Sequence, residues 1–246
     1  MSKWVEGKVI GMRRWNEYLY SLQVDAAVAP FEAGQFTKLA LDVGGESVER
    51  AYSIASAPAE RPLEFYFIVV PDGLLTQRLA ALQPGDAIRV MVRAAGFLTL
   101  SEVPGADNLW MLSTGTGISP FLSILKTEIP WCRFRQVVLV HAVRTASELS
   151  YGDTIRRIAQ DHPEQFRFVP FASREDTSYA LRARIPEAIA DGRLQARAGI
   201  VLSAEKSQVM VCGNPGMVRD TTKILLALGM KKNRRRDPGQ ITAEAW

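Results

Sequence analysis

Cysteine is nearly absent from this chain. Cys132 and Cys212 are the only two in 246 residues, which excludes a disulfide scaffold and any four-cysteine zinc or iron–sulfur site. Long apolar runs are missing too. No stretch approaches the roughly 18 residues of a membrane span, and the opening "MSKWVEGKVI" has no apolar signal core. A cytoplasmic protein without a membrane partner is the expectation. Internal repeats and low-complexity segments are absent, and 18 glycines with 13 prolines point to neither collagen nor disorder. Histidine is limited to His141 and His162. His141 sits inside an apolar strand pattern and reads as structural.

What is present is enough apolar content, 47%, for one large domain or two moderate ones. The net charge of +4 is unevenly spread: residues 1–100 hold 10 Lys/Arg against 11 Asp/Glu, and residues 101–246 hold 20 against 15. A basic second half suits an anionic small molecule or an acidic partner. Nucleic acid is not expected, because the basic run Lys231–Arg236, "KKNRRR", has no interleaved aromatics.

The two halves have different rhythms. "KVIGMRR", "YLYSLQV", "QFTKLAL", "RAYSIAS", "EFYFIVV" and "AIRVMVR" are short and rich in β-branched and aromatic residues, with turn signals between them, which predicts an antiparallel β-barrel. One helix, "TQRLAAL", interrupts them, with Thr76 placed as its N-cap. From residue 101 apolar strands alternate with helical stretches: "NLWMLST" then "GTGISPFLSIL", "QVVLVHAVR" then "TASELSYGDTIRRIAQDH", "FRFVPFASR" then "ARIPEAIADGRL", "SQVMVCGNP" then "GMVRDTTKILLAL". That pattern predicts a parallel sheet covered on both faces. The predicted domains are 1–100 and 101–246.

In an open parallel sheet, ligands bind where loops leave the strand ends. The four loops here are "STGTGISPF", Val143-Arg144, Ser173-Arg174 with Arg184 beyond, and "CGNPGM" with Asn214. Gly115 and Gly117 admit a phosphate close to the backbone, and the helix after them aims its N-terminus at the same point. Arg144, Arg174 and Arg184 supply the cationic side, and the planar fork of arginine suits a phosphate. Arginine with serine, where an NAD site would present an acidic residue, favours NADP. "GTGISP" is not the full G-x-G-x-x-G fingerprint, so a doubly wound dehydrogenase is disfavoured. In the first half, strand alternation puts Arg50 and Tyr52 on one face and Ser53 on the other. A cation for a pyrophosphate, a ring for a heterocycle and a donor for a ring nitrogen are what a flavin needs. The loop "PDGLLT" offers a further helix N-terminus for phosphate.

"RAYS", "GTGISPF" and "CGNPGMV" in this order, with "PFEAGQFTKL", "LEFY", "VPDG", "RLAALQPGD", "LWML" and the terminal "TAEAW", resemble the ferredoxin–NADP reductase family, closest to its bacterial flavodoxin/ferredoxin–NADP reductase branch. The resemblance covers essentially the whole chain. It implies an FAD-binding β-barrel followed by an NADP-binding α/β domain whose C-terminal tail returns to the flavin. It implies that Arg50, Ala51, Tyr52 and Ser53 hold FAD: Arg50 at the pyrophosphate, Tyr52 stacked on the ring, Ser53 near the flavin N5. Phe67, Ile68 and Val69 would line the flavin through backbone groups, and Leu74, Leu75 and Thr76 would hold its phosphates. Thr116 would sit where flavin and nicotinamide meet. Val143, Arg144, Ser173, Arg174 and Arg184 would clasp the 2′-phosphoadenosine, Cys212 and Asn214 would lie near the nicotinamide, and Asp220 would follow on the next helix. Many relatives end in a tyrosine over the flavin. Here Ala245 takes that place, Trp246 would stack on the FAD adenine, and Glu244 is a candidate proton relay to N5. Ser53, Cys212 and Glu244 are thus the candidate catalytic residues.

The implied activity is electron exchange between NADPH and ferredoxin or flavodoxin through FAD, by a monomer. Family carriers are acidic, which fits Lys231–Arg236. The alternatives are a reductase component of an oxygenase, or a free-flavin or quinone reductase. An oxygenase reductase usually carries a four-cysteine cluster, which this chain cannot build.

Overall fold

The computed structural model describes residues 3–245. All six strand-forming stretches of the first half become strands: β1 (Trp4–Arg14), β2 (Leu19–Asp25), β3 (Phe36–Val43), β4 (Glu46–Ser53), β5 (Leu63–Ile68) and β6 (Ala87–Met91). They form one sheet in the order β4-β3-β6-β1-β2-β5, with every pairing antiparallel. Gly44 and Gly45 join β3 to β4 with φ of 62° and 87°. Positive φ at both central residues is what a two-residue type I′ hairpin requires. An antiparallel bridge between Ile54, just past β4, and Phe65 of β5 ties the two edge strands together. The sheet therefore curls into the predicted antiparallel barrel. Its interior is filled by Leu22, Val24, Leu39, Phe65, Ile88 and Val90, each worth about 1.5–3 kcal/mol of burial.

Helix α1 (Leu74–Ala81) plugs this core with Leu75 and Leu79. It begins earlier than "TQRLAAL" predicts, and Thr76 is not its N-cap. Gly73, extended at φ −83° and ψ 102°, takes that position. Thr76 lies inside the first turn, where its hydroxyl accepts from the Val70 N–H at 3.0 Å and donates to the Gly73 carbonyl at 3.3 Å.

In the second half five parallel strands stand in the order β11-β10-β7-β8-β9: β7 (Asn108–Thr114), β8 (Gln136–Val143), β9 (Phe166–Ala172), β10 (Ser207–Gly213) and β11 (Ile241–Ala245). β7, β8 and β10 expose no residue along their length, as strands covered on both faces must. β11 is absent from the sequence-based prediction. "ITAEA" is short and half polar, and only its parallel pairing with β10 makes it a strand.

Two helical predictions are corrected. "TASELSYGDTIRRIAQDH" is not one helix: only α4 (Gly152–Asp161) is regular, because Tyr151 adopts a left-handed φ of 63° and interrupts the run. "ARIPEAIADGRL" divides into α5 (Ile185–Ala190) and α6 (Arg193–Ala198) at Gly192. The remaining helices are α2 (Ser119–Leu125), α3 (Ile129–Arg133) and α7 (Pro215–Ala227).

The chain divides into two compact units. The first runs to Thr99 and takes in Ser119–Thr127; the second is Leu100–Ile118 with the residues from Glu128 on. Helix α2 belongs to the first because Ser123 donates to the Ser56 carbonyl at 2.8 Å and Lys126 to Ala55 and Glu60. Among the described residues, no helix is long and apolar enough to cross a membrane.

Candidate active site

In the first unit the barrel leaves a gap. Beyond the Ile54–Phe65 bridge no pairing joins β4 to β5 among the described residues. The Ile54 N–H donates to Gln35 at 3.1 Å and the Val69 N–H to Tyr18 at 2.7 Å. Peptide groups alternate sides along a strand, so Tyr52 turns its backbone toward β3, and Phe67 and Val69 turn theirs toward β2. Ala51 and Ser53 on one edge, and Tyr66 and Ile68 on the other, turn their N–H and C=O groups to the gap. Ser53 thus meets the gap through its backbone, whichever way its side chain points. Of Phe67, Ile68 and Val69, only Ile68 does the same.

Tyr52 is half-buried on the barrel core, its ring edge-on to Phe67 at 6.3 Å, and Phe67 in turn stacks on Tyr20 at 5.8 Å. Burial pushes the Tyr52 phenol up to about 12, against a smaller opposing pull from Arg50. Tyr52 is therefore protonated throughout the physiological range. Arg50 and Ala51 are exposed, and Arg50 forms no ion pair among the described residues; its guanidinium donates only to the Glu49 carbonyl at 2.8 Å. The N-terminus of α1 has no side-chain cap, which leaves the amides of Leu74, Leu75 and Thr76 at a positive helix end. Leu74 beside it is 66% exposed, an unusual place for leucine unless something covers it.

In the second unit the strand order itself marks a site. The chain winds β7, β8, β9 outward in one direction, then returns to place β10 on the other side of β7. Ligands of parallel sheets bind at such a switch point, outside the carboxyl ends of the strands. The loops after β7 and β10 meet there at very close range. A Cβ on Gly117 would lie 2.5 Å from the Cys212 carbonyl oxygen, and one on Gly213 would lie 2.1 Å from Thr114 Oγ1. The Thr114 hydroxyl accepts from the Asn214 N–H at 3.1 Å, and the Asn214 side chain caps α7 by accepting from the Gly216 N–H at 2.9 Å. Beneath the β7 loop lies His141, fully buried, its Nε2 3.1 Å from the Gly115 carbonyl oxygen. Burial drives its imidazole down to about 4, so it is neutral and donates from Nε2.

One strand over, the ends of β8 and β9 are tied together. The Ser173 N–H donates to Val143 at 3.0 Å and the Arg174 N–H to Arg144 at 2.8 Å, and the Ser173 hydroxyl adds a bond to Val143 at 3.1 Å. Arg144 and Arg174 therefore emerge side by side, both exposed. Arg184 is the residue before α5. None of the three forms an ion pair among the described residues, whereas neighbouring Arg182 is paired with Asp176 at 2.5 Å. All three are exposed cations at the ends of β8 and β9 and before α5.

Other predicted residues are placed as follows. Thr116 lies in the 3₁₀ turn Gly115–Ile118. Cys212 is buried and stands opposite Glu244 in the parallel register of β10 and β11. Burial raises the Glu244 carboxyl above the usual range. Ala245 ends β11 and is exposed. Asp220 is exposed on α7 and bonded to Arg219 at 3.2 Å. Trp246 lies outside the described residues. Thr114, Tyr20 and the His141–Gly115 bond do not appear in the sequence-based set.

Residues 13–94 match the family model of the oxidoreductase FAD-binding domain, and residues 111–223 that of the oxidoreductase NAD-binding domain. The chain is 48% identical to the flavodoxin/ferredoxin–NADP reductase of Escherichia coli (strain K12) over 221 residues, which is 90% of this chain and 89% of that protein. The chain belongs to the flavodoxin/ferredoxin–NADP reductase family. Another member, from Buchnera aphidicola subsp. Baizongia pistaciae (strain Bp), is 39% identical over the full length of both chains. Among solved structures, a ferredoxin NADP+ reductase from Neisseria gonorrhoeae with bound FAD and NADP superposes with a TM-score of 0.93 at 34% identity, covering 100% of this chain and 99% of that one.

Proposed function

We propose that this chain is an FAD-dependent oxidoreductase that exchanges electrons between NADPH and a one-electron carrier, ferredoxin or flavodoxin. The central observation is the switch point at β7 and β10, with three exposed arginines on the neighbouring loops that form no ion pair among the described residues. The residues present fit both groups. For FAD there are an open barrel edge with outward backbone groups, an uncapped helix end and an unpaired Arg50. For NADP there are two glycines whose Cβ positions are already filled by neighbouring backbone and hydroxyl, and a cationic rim.

FAD, when bound, supplies hydride acceptance from NADPH and single-electron release to the carrier. The chain supplies position and charge. Tyr52, neutral and braced by Phe67, covers one ring face. Ser53 and Ile68 present backbone groups to the ring edge, with Ser53 toward N5. Arg50 and the N-terminus of α1 hold the pyrophosphate. Arg144, Ser173, Arg174 and Arg184 recognise the 2′-phosphate and so select NADPH over NADH. Thr116, Cys212 and Asn214 shape the nicotinamide pocket, and Ala245 brings no ring of its own. Glu244, whose carboxyl is raised by burial and so binds a proton more readily, would take up the proton that leaves N5 as electrons pass to the carrier.

The acidic carrier would meet the basic run. Lys231 is paired with Asp237 at 2.6 Å and Arg235 with Glu102 at 2.6 Å, while Lys232, Arg234 and Arg236 are exposed and form no ion pair among the described residues. Carrier reduction should therefore slow as ionic strength rises toward and beyond about 0.15 M. The deciding experiment is anaerobic mixing of the purified protein with NADPH, with NADH, and then with oxidised flavodoxin or ferredoxin. Flavin absorption, bleaching by NADPH and reduction of the carrier are expected. Absence of flavin, or equal rates with both nucleotides, would sink the proposal.

A further inference from the structure

The loop after β7 is held at two points. On one side Gly117 is pressed against the Cys212 carbonyl of β10, with room for a hydrogen and no more. On the other, the Gly115 carbonyl is held 3.1 Å from Nε2 of His141 on β8. Thr116 is suspended between these anchors, across the carboxyl end of β7. In a planar trans peptide the carbonyl of one residue and the N–H of the next point in opposite directions. With the Gly115 carbonyl turned down to His141, the Thr116 N–H is turned away from the imidazole, out from the sheet. Gly115 sits at φ 51°, a conformation glycine adopts without strain, so the residue itself does little to define this peptide's orientation.

His141 has no place in the electron-transfer chemistry, and its surroundings are poor for an imidazole. It is fully buried, and its Nδ1 has no hydrogen-bond partner among the described residues. A methionine of similar size would bury no unpaired nitrogen. What the imidazole adds is a single donor, aimed at Gly115. The neighbouring polar group, Ser113 Oγ, is already engaged with the Val140 carbonyl at 2.6 Å and does not replace it.

We propose that His141 is a positioning residue for nucleotide binding: its Nε2–H fixes the Gly115–Thr116 peptide so that the Thr116 N–H is presented to the dinucleotide at the switch point. This rests on the NADP reading above. Removing the donor frees the peptide to rotate and weakens NADP+, while the first-unit flavin site is untouched.

The test is NADP+ affinity by calorimetry on the flavin-loaded protein, with hydrogen–deuterium exchange across residues 115–118. His141→Met should weaken NADP+ about tenfold, the worth of one hydrogen bond, and speed exchange across residues 115–118 as the turn loosens, with flavin content unchanged. His141→Gln, whose terminal amide reaches the Nε2 position, should restore affinity to within about threefold of wild type. If the methionine variant does not fold, His141→Asn replaces it, since its amide reaches only the Nδ1 position. Equal loss in the donor-keeping and donor-lacking variants would mean a purely structural histidine and would overturn the inference. So would NADP+ binding within twofold of wild type in His141→Met. No NADP+ binding by wild type would overturn the functional reading as well, which separates the two failures.

Discussion

The carbonyl oxygen of Cys212 lies 2.5 Å from the point that a side chain on Gly117 would occupy. Contacts under 3.0 Å against backbone are not relieved by a rotamer change, so two parallel strands would have to part. Gly117→Ala is expected to destabilise the protein by about 1–3 kcal/mol. Because the strain falls on the β7 and β10 loops, NADPH binding should fall further than flavin content. Thermal melts with flavin release, beside NADP+ titration, check this. Unchanged NADP+ affinity would place the dinucleotide elsewhere.

Arg174 and Arg144 are locked together through their backbones at 2.8 Å, so both side chains start from fixed points on the sheet edge. Loss of one charge-assisted bond to a phosphate costs about 1.5–3 kcal/mol. Arg174→Ala should therefore lower kcat/KM for NADPH by roughly 10- to 100-fold and leave NADH, which lacks the 2′-phosphate, within about twofold. Steady-state rates with the two nucleotides decide it. Equal losses would refute a 2′-phosphate contact.

Both folds are legible in the sequence because they rest on local pattern. Alternating β-branched residues give the barrel strands, and unbroken apolar runs give β7, β8 and β10. What escapes is decided by tertiary contact. "ITAEA" becomes a strand only because β10 offers it a parallel edge. Thr76 has the right chemistry for an N-cap, but Gly73 takes the position. Among the site residues, arginines and glycines announce themselves by type at strand ends. Thr114 and His141 do not, because their roles are defined by partners 100 and 26 positions away. Alternation along β4 separates the side chains of Tyr52 and Ser53, yet the peptide groups of Ser53 still face the gap beside β4.

Glu244 gives a signed pH prediction. Burial raises its carboxyl in the folded protein, so its stabilising contribution is full below the ordinary carboxylate range and is lost as pH rises through the raised value. At pH 8 the folded state carries a partly desolvated charge, and Glu244→Gln removes it. The variant should melt higher than wild type at pH 8 and lose that advantage as pH falls toward 4. If Glu244 also takes up the proton that leaves N5 as electrons pass to the carrier, the same variant slows carrier reduction, not hydride transfer from NADPH, and flattens its pH dependence. Melting curves and stopped-flow reduction read the two effects separately. A melting temperature lowered at pH 8 would contradict the burial argument.

Tyr52 separates the worth of a ring from that of a hydroxyl. The phenol is pushed up to about 12 by burial, so its contribution to stability is full below its ordinary value near 10 and declines only as pH rises through about 12. Nothing about it titrates at neutral pH, and what remains is an aromatic face held at 75° to Phe67. Tyr52→Phe keeps that face and should retain flavin and activity within about threefold. Tyr52→Ala removes an edge-to-face pair worth about 0.5–1.5 kcal/mol, and with it the wall of the gap between β4 and β5. That variant should melt lower and purify with much less FAD, while its affinity for NADP+, set in the second unit, stays near wild type. Absorbance ratios of flavin to protein, with NADP+ calorimetry on each variant, test this. Full flavin occupancy in Tyr52→Ala would remove Tyr52 from the flavin site and leave it as a core residue of the barrel alone.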